Sequence, residues 1–167
     1  MVTDDSEIVD GPIAEQRMKI FVNVFKKSAI PVMKEFGEEK ANEFKDELVY
    51  RIASQSFNWR PLKPEYRLYK IKNRLDPRMM ISTGEYINSI EVNELDDQIG
   101  YSVGVPNRLH NSGLSLRVLA RIHEFGTIRI PARPHWRPQI SAFIRRSDEL
   151  GRELCTRIVN NVQGQLG

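Results

Sequence analysis

Apolar positions in this chain recur at helical spacing toward both ends and alternate in a short stretch between them. From Pro12, a residue suited to the first helical turn, Ile13, Met18, Phe21, Val22 and Phe25 return every three or four residues and predict an amphipathic helix. Ser28 and Pro31 interrupt that pattern. Met33, Phe36, Ala41, Phe44, Leu48 and Ile52 then carry a second stripe toward Ser56, which Gly37 would split. Phe57 to Asn73, "FNWRPLKPEYRLYKIKN", loses helical periodicity at two prolines and has two readings. It is either a stacking and phosphate-tracking surface for single-stranded nucleic acid, or a loop entering a short amphipathic helix anchored by Trp59, Leu62, Tyr66 and Tyr69.

The period then becomes two. Ile87, Ser89, Glu91 and Asn93 alternate against Asn88, Ile90, Val92 and Glu94, which predicts a strand. Asp96-Asp97 suits a hairpin turn, and Ile99, Tyr101, Val103 and Val105 supply one face of a return strand that Pro106-Asn107 ends. Leu116, Leu119, Ala120, Ile122 and His123 predict a short helix closing at Gly126, and Ile128 to Ile130 a third strand. Ile130, Arg133 and Arg137 each precede a proline and are pushed toward extended backbone, so Ile128 to Pro138 reads as a stiffened connector that protrudes. Pro138 suits the first turn of a last helix, striped by Ile140, Phe143, Ile144, Leu150, Leu154, Ile158 and Val162, with the small residues Ser147 and Gly151 allowing close approach of another backbone. The expected fold is α+β: N-terminal helices and a long C-terminal helix packed on a small antiparallel sheet, with an extended Pro/Arg-rich loop. Residues 1–11 are expected to form a flexible arm and 12–167 a single domain.

Composition adds little to the fold and more to the partners. The 25 basic and 22 acidic residues of the 167 give only +3, so the total charge does not mark a nucleic-acid binder. Placement is more telling, because Arg121, Arg129, Arg133, Arg137, Arg145 and Arg146 make the later third basic, while Glu38 to Glu47 reads as an acid-rich solvated face. Cys155 is the single cysteine and no secretory signal is visible, so the expectation is a reducing cytoplasm. No apolar run approaches the roughly 20 residues of a membrane span.

The stretch "ARIHEFGTIRIPARPHWRP", Ala120 to Pro138, holds four arginines, three prolines, two histidines and a tryptophan. His123-Glu124 would suit a zinc-protease helix, but Thr127 stands where the second histidine belongs and Gly126 ends the helix. His110, His123 and His135 are scattered, Cys155 reads as a small buried hydrophobe, and Ser82-Thr83-Gly84 lacks the rest of a phosphate loop. No catalytic, metal or cofactor constellation is expected. Arg133 and Arg137, held between prolines beside Trp136, suit interface anchors because Trp and Arg are the types enriched at interface hot spots.

The order of motifs resembles one family. "WRPLKPEYRLYK", "STGEYINSI", a strand pair, "LARIHEFG", "IPARPHWRP" and an amphipathic helix follow one another as in the tail-completion and head-tail joining proteins of tailed bacteriophages, the virion morphogenesis family. The likeness runs from Trp59 to the C-terminus. It is carried by Thr83-Gly84 with Ser89-Ile90, by Ala120 and His123 to Gly126, and by Pro131 to Pro134. The chain departs from the family pattern in reading Pro-His-Trp-Arg-Pro where an apolar residue usually follows the second proline. The resemblance implies a non-enzymatic α+β subunit of a homo-oligomeric ring in the virion neck. Its expected partners are identical copies, portal-proximal connector proteins above and tail terminator or tube proteins below, with DNA passing through the channel. A tail-terminator ring capping the tail tube and a basic nucleic-acid binder using Arg60, Lys63, Lys70 and the later arginines are the alternative expectations. Trp59, His123, Glu124, Arg129, Arg133, Trp136 and Arg137 are the expected interface residues.

Overall fold

The computed structural model describes residues 11–96 and 99–166. Its first element is one helix, α1 (Gly11–Ala53), of 43 residues and so roughly 65 Å long at 1.5 Å per residue. The two N-terminal helices expected from the break at Ser28 and Pro31 are therefore continuous. A proline inside a helix costs about 3 kcal/mol through its missing N–H and ring clash. Packing offsets it: Ser28, Ala29, Val32 and Phe36 are buried on one face around Pro31. Ser28 donates to Gln165 Oε1, and Arg157 lies 5.1 Å over the Phe36 ring, both from the last helix. Gly37 does not split α1 either. A side chain there would meet the Tyr101 ring at 3.1 Å, so its smallness admits a close neighbour.

α2 (Pro64–Lys72) follows a loop, as one of the two readings of that stretch had it, but Tyr66 and Tyr69 lie exposed and only Trp59 of the four expected anchors is buried. Lys70 on the same helix is 2 % exposed and donates to the carbonyls of Arg78 and Ile81, each at 2.6 Å, which ties the following loop to α2. α3 (Glu85–Asn88) takes Ile87 and Asn88, the first two residues of the expected strand, because Gly84 at φ +81° turns the chain into a helical start. Only β1 (Glu91–Glu94) is extended; it pairs antiparallel with β2 (Tyr101–Gly104), Val92 opposite Val103. Asp97 of the expected turn lies outside the described residues.

α4 (Leu116–Phe125) starts at Ser115, whose hydroxyl accepts from the Val118 N–H. The single last helix expected from Pro138 is two, α5 (Trp136–Ile144) and α6 (Ser147–Leu166), broken at Arg145-Arg146. α6 runs back along α1. Arg157 pairs with Glu39 and Glu153, Lys40 with Glu39, Glu43 and Glu153, and Arg146 with Glu43, so part of the acid-rich segment is a helix-to-helix seam. A side chain on Gly151 would meet nothing within 4 Å, so no backbone of the same subunit approaches it closely, and Cys155 is exposed where a buried hydrophobe was expected.

The architecture is α+β, with six helices and one two-stranded antiparallel sheet among the described residues. One core cluster gathers Phe44, Leu48 and Ile52 of α1 with Trp59, Ile81 and Ile90; Val103, Trp136 and Phe143 pack against it. Tyr86, Leu116 and Ala120 form a second cluster that joins α3 to α4. Among the described residues no helix is long and apolar enough to cross a membrane. The expected arm, residues 1–11, lies outside the described residues apart from Gly11, which opens α1.

Candidate interaction surface

α4 and the proline-bracketed connector fold onto each other, and Gly126 makes the reversal. At φ +74° and ψ −175° it occupies backbone space open to glycine, and a Cβ there would stand 2.7 Å from the Ala132 N and 2.8 Å from the Ile130 O. Ile128 to Ile130 is accordingly a tight turn, not the third strand. The Thr127 N–H donates to the Ile130 O, and the Thr127 hydroxyl accepts from the N–H groups of Arg129 and Ile130. The turn projects Ile128, fully solvated, with Phe125 and Ile130 exposed beside it.

Below the turn the connector is not the free protrusion the sequence suggested: Arg133 and His135 are buried and Pro134 and Trp136 half-buried, while Pro131, Ala132 and Arg137 stay exposed. Glu124, 5 % exposed, is the hub. Its Oε2 accepts from the backbone N–H groups of His135 and Trp136 at 2.9 and 3.0 Å, and its Oε1 from the N–H and Nε of Arg137 at 3.2 and 2.9 Å. A carboxylate from α4 thereby satisfies the orphan donors that open α5 and sits at the positive end of its dipole. Burial works to raise the Glu124 carboxyl, but these donors outweigh it and hold the group below its ordinary range.

A second chain of hydrogen bonds runs through His135, which is fully buried. Its Nδ1 lies 3.0 Å from the Arg133 carbonyl, which can only accept, so Nδ1 carries the proton and Nε2 accepts from the Tyr86 hydroxyl at 2.7 Å. The Trp136 indole N–H in turn donates to Tyr86 Oη at 3.2 Å, and the Trp59 indole N–H to the Pro134 carbonyl at 2.8 Å. Burial lowers the His135 pKa and raises that of Tyr86, so both stay neutral. Burial, with the nearby Arg133 cation, lowers His123 to about 4. The His123 Nδ1 has no partner, nor do the Arg133 Nε and the Gln139 Nε2. A neutral histidine hydrogen-bonded on both sides is a structural latch; it has no free lone pair to take a substrate proton.

The seven expected interface residues thus divide. Trp59, His123, Glu124, Arg133 and Trp136 converge in the latch, and Arg133 is only 8 % exposed. Arg129 stands on the turn and Arg137 spans both settings, with Nε on Glu124 and its guanidinium 5.0 Å over the exposed Phe125 ring. His135, one of the three histidines scattered in the sequence, is buried. Among the described residues no group of three or more His, Cys, Asp or Glu is placed to hold a metal ion. Sequence reasoning missed Tyr86 and the solvated Phe125 and Ile128. The glycine that follows Phe125 was the available signal for the turn, whereas nothing local marks Tyr86 as the partner of a histidine 49 positions away.

The surface holds two further features. Tyr66 and Tyr69 stack at 6.0 Å on α2, where Arg67 is also exposed, and Arg60 and Lys63 are exposed in the segment before it, while Lys70 is too buried to reach a phosphate. At the start of α1, side chains from Glu15 to Lys27 are exposed except Val24, and Met18, Phe21 and Phe25 make an apolar stripe that stays largely solvated among the described residues, with Val162 of α6 beside Phe21 and Phe25. Compared with protein-family models, with curated proteins and with solved structures, the chain matches none.

Proposed function

We propose that this chain is a structural, non-enzymatic subunit of a tailed-bacteriophage neck, forming a homo-oligomeric ring that completes the tail and joins it to the DNA-filled head. The order of motifs from Trp59 onward is the ground for the phage assignment. The observation that carries the assembly part is the presentation of large apolar side chains at two distant places. Met18, Phe21 and Phe25 lie at 62, 61 and 45 % exposure near one end of α1, and Phe125 and Ile128 at 63 and 107 % on the turn above the latch. The latch stacks on α1 at Phe44, 6.5 Å from the Trp136 ring, roughly 35 Å along the helix from Phe21.

Contiguous exposed apolar patches mark interaction sites, and two unlike patches on one subunit suit heterologous contacts, which close into a ring when the rotation per copy permits. The rigid latch supports the same reading, since it fixes the turn before any partner arrives and so lowers the ordering cost of docking. Electron microscopy of lysates from a phage lacking this gene tests the assignment. Filled heads beside normal-length, unattached tails are the expected outcome. Emptied heads would make the protein a head seal instead, irregular tails a terminator, and intact infectious particles would refute the structural role.

A further inference from the structure

We propose that the N-terminal turns of α1 dock in an apolar groove on a second copy of this chain, a head-to-tail contact that rests on, and gives a geometry to, the ring reading. The groove lies where α1, β2, α5 and the start of α6 meet. Phe36, Phe44, Tyr101, Trp136, Ile140 and Ile144 line it around a space of about 440 Å³, and Ile140 and Ile144 are 43 and 62 % exposed. A helix enters such a groove through large apolar residues at i, i+3 and i+7. Met18, Phe21 and Phe25 have that spacing, and the rings of Phe21 and Phe25 stack at 6.3 Å.

The occupant cannot be the chain's own α1. Groove wall and stripe belong to one continuous helix, with Phe25 and Phe36 roughly 16 Å apart along its axis, and a straight helix does not fold over onto its own side. Both halves of the contact exist on every copy, so each copy offers a stripe to one neighbour and a groove to another. Among the described residues the stripe is flanked by Arg17, Lys19, Lys26 and Lys27 against Glu15, while beside the groove Glu38, Glu43, Glu47, Glu94 and Glu149 outnumber the cations Lys34, Lys40 and Arg146. Opposite fields steer association and fix its register.

Two double variants of the full chain test this by light scattering across a concentration series: Phe21→Glu with Phe25→Glu, and Ile140→Glu with Ile144→Glu. Wild type is expected to associate and each variant to stay monomeric with unchanged helical circular dichroism. Mixed, the two variants retain one intact stripe and one intact groove between them, so the expected product is a dimer of twice the monomer mass and nothing larger. A wild type that stays monomeric into the millimolar range, a stripe variant that associates like wild type, or a mixture of folded variants that stays monomeric would each overturn the contact. Should the groove variant unfold, Phe25→Cys with Ile144→Cys in a Cys155→Ser chain replaces it. Oxidation should then give a ladder of disulfide-linked multimers, and a monomer band alone would overturn the proposal. Failure here beside tailless particles in the gene-deletion experiment removes this contact and leaves the neck role. Association of a protein whose loss leaves particles intact removes the neck role and leaves the contact.

Discussion

Replacing Glu124 by glutamine changes one atom of the latch from an acceptor to a donor. In the native chain each carboxylate oxygen serves two donors, and three of the four are backbone N–H groups of His135, Trp136 and Arg137 at the start of α5. The amide keeps one oxygen, so it can serve one pair and must point its NH2 at the other. Losing a capping acceptor costs about 0.5–2 kcal/mol. Leaving a buried N–H unsatisfied costs about 1–3 kcal/mol, and removing the charge from a partly buried helix N-terminus adds up to about 2 kcal/mol. The Arg137 ion pair adds little because that side chain is 62 % exposed. These overlap, and a net loss of about 3 kcal/mol is expected. For a chain of this size that is a fall in Tm of roughly 6–12 °C. Urea and thermal unfolding of Glu124→Gln beside the exposed-site control Glu65→Gln measures it. A loss under about 1 kcal/mol, indistinguishable from the control, would refute the claim that Glu124 organises the start of α5.

Acid should weaken the fold through His123. Its folded pKa, about 4, lies below the ordinary 6.5, so the unfolded chain binds the extra proton first; stability is highest above pH 6.5 and falls as pH drops toward 4, by about 3 kcal/mol in all. Urea midpoints across that range check the slope, which His123→Phe should flatten. Gly126→Ala combines a disfavoured φ with backbone atoms 2.7 and 2.8 Å from the new Cβ, and should cost at least about 2 kcal/mol in the same assay. Trp136→Ala removes an indole packed against Phe44 and bonded to Tyr86, so a loss on the order of 3 kcal/mol is expected; the substitution reports on the core and not on assembly. Ile128→Asp, at a fully solvated position, should stay within about 0.5 kcal/mol of wild type yet reduce assembly into particles, and unchanged incorporation would remove the turn as a contact.

Local chemistry was legible where neighbours in sequence decide the outcome. The periodicity of Phe44, Leu48 and Ile52 marked a buried helical face, Gly126 marked the end of α4, and the alternation through Val92 and Val103 marked the hairpin. Reading failed where a distant segment overruled the local signal. Pro31 reads as a break, but the burial of its flanking residues on the face that meets α6 offsets one lost hydrogen bond. Ile87 to Asn88 alternates like a strand, but Gly84 sets a helical start and Tyr86 is drawn into the second core cluster.

The sequence by itself determined that this is an α+β chain with helices at both ends, and that Ala120 to Pro138 concentrates its polar chemistry. Only the tertiary structure decided which side of that segment faces water. His135 and the Trp136 indole N–H are groups that sequence patterns place outside, yet Glu124 and Tyr86 supply the hydrogen bonds that let the first be buried and the second be half-buried. Phe125 and Ile128 carry groups that patterns place inside, yet the turn at Gly126 leaves them in solvent. A polar residue can be buried wherever its hydrogen bonds are met, and an apolar one is covered only where other surface reaches it. Both conditions are set by partners far along the chain.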